Sequence, residues 1–489
     1  MNSCASRERT AARSVGRKPA KFVPTSRLAT RIKPMARFTL KQGYDVPIAG
    51  DSNPEVVDGA LATVASVRPA DFIGIKPRLL VRDGDSVLAG TPLFHAKDDE
   101  SQVFTSPISG TVSEVSGVVR GDRRVLLAVN IESDGKNEAV SFEPTSAAAI
   151  PGKSSEQLRE TLVKSGQLAL FRERPFGHVA RAKHTPRDIF VSAIASAPLA
   201  PDPAVLVEGN EEYFQAGIDA CAKLTLGAVH LSVPGTGSVC SAFSGAKNCQ
   251  IHEFSGPHPA GVVGVQIHHI APVRSRQDIV WTITVQGLIQ LGKLFVLGRV
   301  SPEKIVSVAG TSALDRRYFR TINGAPLQNV IRGQVADETI RYISGDVLTG
   351  TDIGAEGFVG LYDDMVTLIP ESIDSEFVGW MQPGFRKHSM FRTYVSPWLP
   401  KQKHRLDTKV WGGHRALFAS DAYGKVLPMK MFPLFLVKSC MIQDIDEMVG
   451  LGIYEVTEEE MALCEYVCPS KTPVQKIIRE GLEFLYAEA

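Results

Sequence analysis

The stretch DIFVSAI at 188–194, followed by EEYFQAGIDACAKL at 211–224 and AVHLSV at 228–233, decides how this chain folds. The first and third segments are short, β-branched and apolar, with little polar alternation, the pattern of strands buried on both faces. Between them Phe214, Ile218 and Cys221 recur on one helical face, with Asn210 at the N-cap position and Glu211 and Glu212 in the first turn. A third short strand is expected at QIHEF, 250–254, after a run of small residues. This alternation predicts a βαβαβ unit built on a parallel sheet.

That unit is Rossmann-like, and different signals lie on either side of it. Toward the N terminus, from about Lys41 to Ser133, short strands alternate with turns: RLLVR at 78–82, a Gly-Asp turn at Gly84-Asp85, AGTP at 89–92 and LFH at 93–95. A second half follows, VFTSPISGTVSEV at 103–115, a turn at Gly121-Asp122 and RVLLAVNI at 124–131, and it echoes the first. The repeat resembles the biotinyl/lipoyl hammerhead, a barrel-sandwich in which a lysine on a tight hairpin is modified. Lys97 lies in the corresponding loop, but its AKDDE surroundings at 96–100 lack the family's compact Asp-Lys or Met-Lys-Met turn. Toward the C terminus come DIVWTITV at 278–285 and a small apolar helix near Val285–Leu297. Strands are then expected at KIVSVAG (304–310), FRTI (319–322), ETIRYISG (338–345) and MVTLI (365–369). The remainder reads as loops and then amphipathic helices around 441–451, 458–468 and 474–486. The expected organisation is multidomain α/β and β: a disordered basic leader at 1–34, the biotinyl/lipoyl-like β domain at 35–140, the Rossmann-like domain at 141–300, a small β-grasp-like α+β domain at 301–380, and a helical region at 381–489.

Composition removes several function classes. With 44% hydrophobic and 22% charged residues, 42 Gly and 30 Pro in 489 residues, the chain is neither collagen-like, coiled-coil nor disordered overall. Its net charge of +1 conceals a split, because nine of the 54 basic residues and one of the 53 acidic ones lie in residues 1–34. The body keeps 45 basic and 52 acidic residues, which argues against nucleic acid as a partner. The Arg-rich, acid-poor leader matches the composition of an organelle transit peptide and equally of any disordered basic extension, it has no apolar core of a secretory signal, and we read Met35 as the functional start. Seven scattered cysteines give no disulfide framework. No window reaches the ~18 apolar residues of a membrane span; Lys430, Pro433 and Lys438 interrupt the best one, 426–442.

Several motifs invite a sharper reading and fail it. Pro151-Gly152-Lys153-Ser154 ends like a phosphate loop, but Ala147 stands where its first glycine belongs. Gly235 and Gly237 follow a strand, yet Cys240 replaces the third glycine of a dinucleotide loop. His252, His258, His268 and His269 crowd one stretch without a diagnostic ligand spacing, and the adjacent pair His268–His269 is expected on opposite faces of a strand. Cys464 and Cys468 share a helix face with Met461, after a capping box Thr457-Glu-Glu-Glu460 and before Pro469. That is a packing stripe rather than a cluster site.

Five strings carry a wider resemblance: KQGYDVPIAG (41–50), FSGPHPAGVVG (254–264), GKLF (292–295), ISGDVLTGT (343–351) and LCEYVCPSK (463–471). In order along the body, they are similar to the NqrA family, one of the components of the bacterial Na⁺-translocating NADH:quinone reductase. The resemblance implies a peripheral subunit on the cytoplasmic face of the bacterial inner membrane, with five partner subunits, B to F, in a complex that passes electrons from NADH to ubiquinone and exports Na⁺. It also implies kinship with the C component of the Rnf complex and the NADH-binding flavoprotein of complex I. Those relatives carry a flavin loop and cluster cysteines that this chain lacks, so no flavin or iron–sulfur cluster of its own is expected. NADH, FAD, FMN, iron–sulfur and Na⁺ then belong to the partners, and this chain has no independent catalytic centre.

Ubiquinone remains as the bound substrate. A quinone needs an apolar slot and one or two donors to its carbonyl oxygens. Phe72, Ile73 and Ile75 are candidates for the slot, and His258, His268 or His269 for the donors. The competing readings are a lipoyl or biotinyl carrier through Lys97, an Rnf-type electron-transport component, and a ligand-free assembly scaffold.

Overall fold

The apolar runs at 188–194 and 228–233 lie at the centre of a seven-stranded sheet, as segments buried on both faces must. A computed structural model describes residues 36–488 except 61, 120–124, 373–380, 382, 386, 391–393, 401, 411 and 412. The basic leader and the Gly121-Asp122 turn fall outside the described residues. From edge to edge the sheet runs Ala36–Thr39, Gln250–Ser255, Val229–Pro234, Asp188–Ser192, Val280–Thr282, Arg172–Arg174 and His178–Val179. Its first five strands are mutually parallel and its last two antiparallel. Sequence order reverses between Asp188–Ser192 and Val280–Thr282, the point where a crevice opens at the carboxyl ends of parallel strands.

Helices Glu211–Leu224 and Val285–Leu297 pack directly on each other. Both use glycine at the crossing: a Cβ on Gly217 would stand 2.3 Å from the Leu288 carbonyl oxygen, and one on Gly292 1.9 Å from that of Tyr213. Phe214, Ile218 and Cys221 are buried, as their helical spacing predicts. Asn210 occupies the N-cap position but makes no capping bond with its side chain.

The N-terminal half-repeats form a three-stranded sheet (Pro77–Leu79, Pro92–Ala96, Asp99–Thr105) and a four-stranded one (Val64–Val67, Val125–Ser133, Gly110–Val119, Ser86–Val87) around a shared core of Phe72, Phe94, Phe104 and Val129. Lys97 is exposed on the turn between Ala96 and Asp99, and its neighbour Asp98 pairs with Arg181 at 3.2 Å. Residues 36–58, read with this unit from the sequence, supply edge strands elsewhere. Ala36–Thr39 extends the large sheet, and Val56–Asp58 pairs with Tyr318–Ile322. That second pairing belongs to a six-stranded mixed sheet ordered Thr351–Asp352, Ile340–Ser344, Met365–Pro370, Glu303–Ala309, Tyr318–Ile322, Val56–Asp58.

His268 and His269 lie in the helix Val263–Ile270, not in the strand expected for them. Val263, Ile267 and Ile270 recur at helical spacing there, and that period outweighs the short β-branched run. The C-terminal helices are Pro433–Ile442, Ile445–Gly450, Glu458–Val467 and Val474–Ala487. The Thr457/Glu460 capping box opens the third of them. Met461, Cys464 and Cys468 are buried in the core that joins these helices to the large sheet. Among the described residues no helix is long and apolar enough to cross a membrane.

Candidate functional site

At the carboxyl ends of Asp188–Ser192 and Val280–Thr282 a cleft of about 550 Å³ opens, walled by all four parts of the body. The large sheet and its loops contribute Ile194, Val262, Val263 and Ile283, which make one apolar wall. The small β unit contributes Arg68 and Ile73, the mixed sheet Ser344–Asp346 and Tyr362–Asp364, and the C-terminal helices Glu458, Glu459 and Arg479.

Two of the strings that carry the family resemblance, FSGPHPAGVVG and ISGDVLTGT, line this cleft, and KQGYDVPIAG packs against the first of them. Gly43 has φ +134°, and a Cβ on it would lie 2.3 Å from the His258 carbonyl oxygen, so KQGYD packs backbone to backbone on GPHP. Tyr44 N–H donates to that carbonyl at 2.7 Å, and Asp45 accepts the His258 N–H at 2.8 Å. Gly261 approaches the Ile194 carbonyl, and Gly264 leaves room for the Glu460 carboxylate, 2.0 Å from where its Cβ would be. In ISGDVLTGT, Ser344, Gly345, Asp346 and Thr349 line the cleft.

The rim is rich in cations, and each has a carboxylate partner. Arg68 bonds Asp71 at 2.9 Å, Arg172 pairs with Glu459, Arg174 grips Glu460 at 2.8 and 2.9 Å, and Arg479 holds Glu458. The Arg172 guanidinium also lies 4.3 Å over the Tyr362 ring. Burial raises the Tyr362 hydroxyl well above its usual range, and that hydroxyl donates to the Ala169 carbonyl at 2.6 Å. Burial likewise raises Asp364, even with the Lys304 ammonium 3.6 Å away.

A phosphate-bearing ligand finds no seat at this switch point. The loop after Asp188–Ser192 has no glycine before Asp202 and contains Pro198 and Pro201. The helix that follows, Pro203–Val207, is short and already capped by Asp202, whose carboxylate accepts from Ala204 N–H at 2.9 Å where a pyrophosphate would need to sit. The other two phosphate-loop look-alikes fail in the same way. Ser154 caps its own helix in a capping box with Gln157, and Gly235–Gly237 leads into a four-residue turn of helix, Ser241–Ser244. Among the described residues no group of three His, Cys, Asp or Glu could hold a metal.

Of the six candidate quinone residues, the structure brings two together at this cleft, Ile73 and His258. Phe72 lies in the neighbouring β core, 4.3 Å ring to ring from Phe104, and borders a smaller cavity that shares Arg68, Asp71 and Leu361 with the cleft. Ile75 packs against the same core. His268 and His269 stand outside the cleft: His268 bonds Glu455 and accepts the Lys430 N–H at 3.1 Å, and His269 donates to the Pro428 carbonyl at 2.9 Å. His252 is stacked into the sheet, 2.9 Å from His230. The residues missed by sequence reading are the carboxylate–guanidinium pairs. Their signal was the match between the basic-acidic-basic triplet Arg172-Glu-Arg174 and the acidic triplet 458–460.

His258 is 3% exposed, with Ser196 as its neighbour. Ser196 Oγ accepts from Gly261 N–H at 2.7 Å and lies 3.2 Å from His258 Nδ1. Ser196 Oγ, with a second lone pair and its own proton, can accept from Nδ1–H or donate to Nδ1, and in either tautomer the neutral ring carries one N–H donor. Burial lowers the His258 pKa below 6.5 despite Asp346 and Asp45 nearby. An NMR titration is expected to give a midpoint below 6.5. Because the folded state resists this proton, its contribution to stability is present above about pH 6.5 and is lost as pH falls.

Residues 38–134 match the family described as the NqrA N-terminal barrel-sandwich hybrid domain, 153–300 the NqrA second alpha/beta domain, and 305–354 the NQRA C-terminal domain. Curated relatives, each named as the A component of a Na(+)-translocating NADH-quinone reductase, include those of Shewanella amazonensis (35% identical), Pasteurella multocida (36%) and Neisseria meningitidis (34%). Each match spans 92% of this chain and 99–100% of the relative. Among solved structures, an NAD⁺-reducing [NiFe]-hydrogenase in the air-oxidised state aligns with TM-score 0.39 and 10% identity, over 70% of this chain and 64% of that one.

Proposed function

The chain belongs to the NqrA family of the Na⁺-translocating NADH-quinone reductase, and from that premise we propose that its interdomain cleft is the place where it meets quinone. It is one component of an oxidoreductase that couples electron transfer from NADH to quinone with Na⁺ translocation, and it is not itself the catalyst. The observation that carries the quinone reading is the cleft's chemistry: an apolar wall, a buried imidazole donor, and guanidinium groups already neutralised by carboxylates. Such a site suits a neutral, planar, apolar ligand with carbonyl oxygens and disfavours a phosphorylated one. Ubiquinone is the quinone we assign, with Ile73 and Val263 against the ring and the His258 imidazole N–H as donor to a carbonyl oxygen. In this reading flavin, NADH, iron–sulfur and Na⁺ belong to the five partner subunits, B to F, and the chain sits on the cytoplasmic face of the inner membrane. The sheet order supports the Rossmann-like label for the central domain, and the mixed sheet with its short helix Leu327–Ile331 supports the β-grasp-like one.

The test is titration of the full chain with a short-chain, water-soluble ubiquinone analogue. Val263→Trp, which fills the cleft from its half-buried rim, is expected to weaken binding at least ten-fold, whereas His268→Ala and His269→Ala change it less than two-fold. Binding that survives Val263→Trp and is abolished by the His268 or His269 variant would place quinone elsewhere on the chain.

A further inference from the structure

We infer that the helical pair Pro433–Ile442 and Ile445–Gly450 is a docking face for a positively charged cytoplasmic segment of a membrane-embedded partner. The inference rests on the family reading above, because it needs a membrane partner. Soluble proteins bury large apolar side chains where they can, and a contiguous exposed group of them marks an interaction site. Here six lie on one short helix–turn–helix: Phe432, Phe435, Met441, Ile442, Ile445 and Val449, with Phe432 68% and Ile442 69% exposed. Phe432 and Phe435 meet edge to face at 6.4 Å, and Phe435 and Ile442 fall seven residues apart on one helical stripe. The opposite face, Leu436, Val437 and Cys440, is fully committed to the core, so the exposed stripe is not the surplus of a loosely packed helix.

Charge selects the occupant. Asp444, Asp446 and Glu447 are exposed in and before the second helix, and among the described residues no basic side chain pairs with them. Asp444 caps the helix through Glu447 N–H at 3.0 Å, which keeps its carboxylate fixed at that edge. An apolar stripe with three carboxylates along one end repels an anionic lipid surface and a second copy of itself. It complements a segment that is apolar and basic. Loops on the cytoplasmic side of membrane proteins carry an excess of Lys and Arg, so the juxtamembrane segment of an integral membrane partner has the required composition. The apolar stripe supplies the buried centre of the contact and the carboxylates its rim.

The experiment co-expresses the full chain, affinity-tagged, with the other subunits and measures how much of the membrane subunits it recovers. Phe435→Asp with Ile442→Asp, and separately Asp446→Lys with Glu447→Lys, are each expected to reduce recovery at least ten-fold. Leu226→Asp, at a residue 81% exposed on another part of the chain, serves as control and leaves recovery unchanged. Unchanged circular dichroism and thermal midpoint of the purified variants separate lost docking from lost folding. Wild-type chain that recovers none of the membrane subunits overturns the reading of the chain as a peripheral subunit held by membrane partners, and this surface with it. Equal recovery by wild type and both double variants overturns the surface alone. Wild-type chain that binds protein-free phosphatidylglycerol vesicles through Phe435 and Ile442 would assign the face to lipid instead and overturn the proposed partner.

Discussion

Replacing Arg174 with Met is expected to lower the stability of the folded chain by about 3–5 kcal/mol, the cost of leaving one member of a buried ion pair without its partner. Glu460 has no exposed surface, and both its oxygens are committed to Arg174. The same carboxylate accepts from the Thr457 N–H at 2.6 Å and its hydroxyl at 2.9 Å, which starts the helix Glu458–Val467. Burial alone would push Glu460 up, but Arg174 and the two Thr457 bonds outweigh it and hold the carboxyl below the ordinary value of 4.5. A depressed carboxylate stabilises the fold above its unfolded pKa and loses that contribution as pH falls through the folded one. Glu460 should therefore make wild-type stability fall in acid below about pH 4.5, while in Arg174→Met the contribution of Glu460 reverses sign and the loss between pH 7 and pH 4 is smaller than in wild type, because an unpaired buried carboxylate gains by protonation. The double variant Arg174→Met/Glu460→Met is expected to recover most of the loss, short by about 1 kcal/mol for the missing cap. Urea midpoints at pH 7 and pH 4 check all three expectations, and a cost under about 1 kcal/mol for the single variant would show that Glu460 finds other solvation.

Gly292→Ala should destabilise the chain by about 1–3 kcal/mol, and Gly292→Val by more, through overpacking at a backbone contact. In an exposed helix the same Gly→Ala change would gain about 1 kcal/mol, so the expected sign is opposite to that of helix propensity. The reason is the crossing: the new methyl group would sit 1.9 Å from the Tyr213 carbonyl oxygen, and the reciprocal Gly217 faces the Leu288 carbonyl at 2.3 Å. Neither obstacle is a side chain that can rotate away. The helices must separate, and with them Thr284 and Val285, which border the cleft at the start of Val285–Leu297. Thermal unfolding of Gly292→Ala beside Gly413→Ala, whose Cβ meets nothing within 4 Å, separates the packing effect from backbone entropy.

The central sheet was legible because buried parallel strands are written as uninterrupted apolar runs, and DIFVSAI and AVHLSV are such runs. The helices Glu211–Leu224 and Glu458–Val467 were legible through spacing and a capping box. The strand Ala36–Thr39 was not, since four residues with an arginine among them carry no period, and its partner lies 216 residues away, Ala36 opposite His252. His268 and His269 were misread because Val, Ile and His serve strands and helices alike over a short run. Of the cleft, the sequence offered Ile73 and His258 but not their proximity. A cavity walled by segments near residues 70, 194, 262, 345, 362 and 458 has no signature along the chain. The ion pairs were hidden for the same reason: Arg174 and Glu460 are 286 positions apart, and only the fold makes them neighbours.

The placement of residues 36–58 bears on how the protein is made. The strand Ala36–Thr39 leaves the ribosome 216 residues ahead of the strand it joins, and Val56–Asp58 emerges 262 residues ahead of its own, with Val56 opposite Tyr318. At translation rates of about 5–20 residues per second, the first must wait roughly 10–40 s with its hydrogen-bonding edge unmatched. Neither sheet can be closed at that border until more than half of the polypeptide exists, so both edges stay unmatched through that interval. A shortened messenger that begins after codon 58 would yield a chain whose two sheets end in bare edges, open to pairing with another molecule.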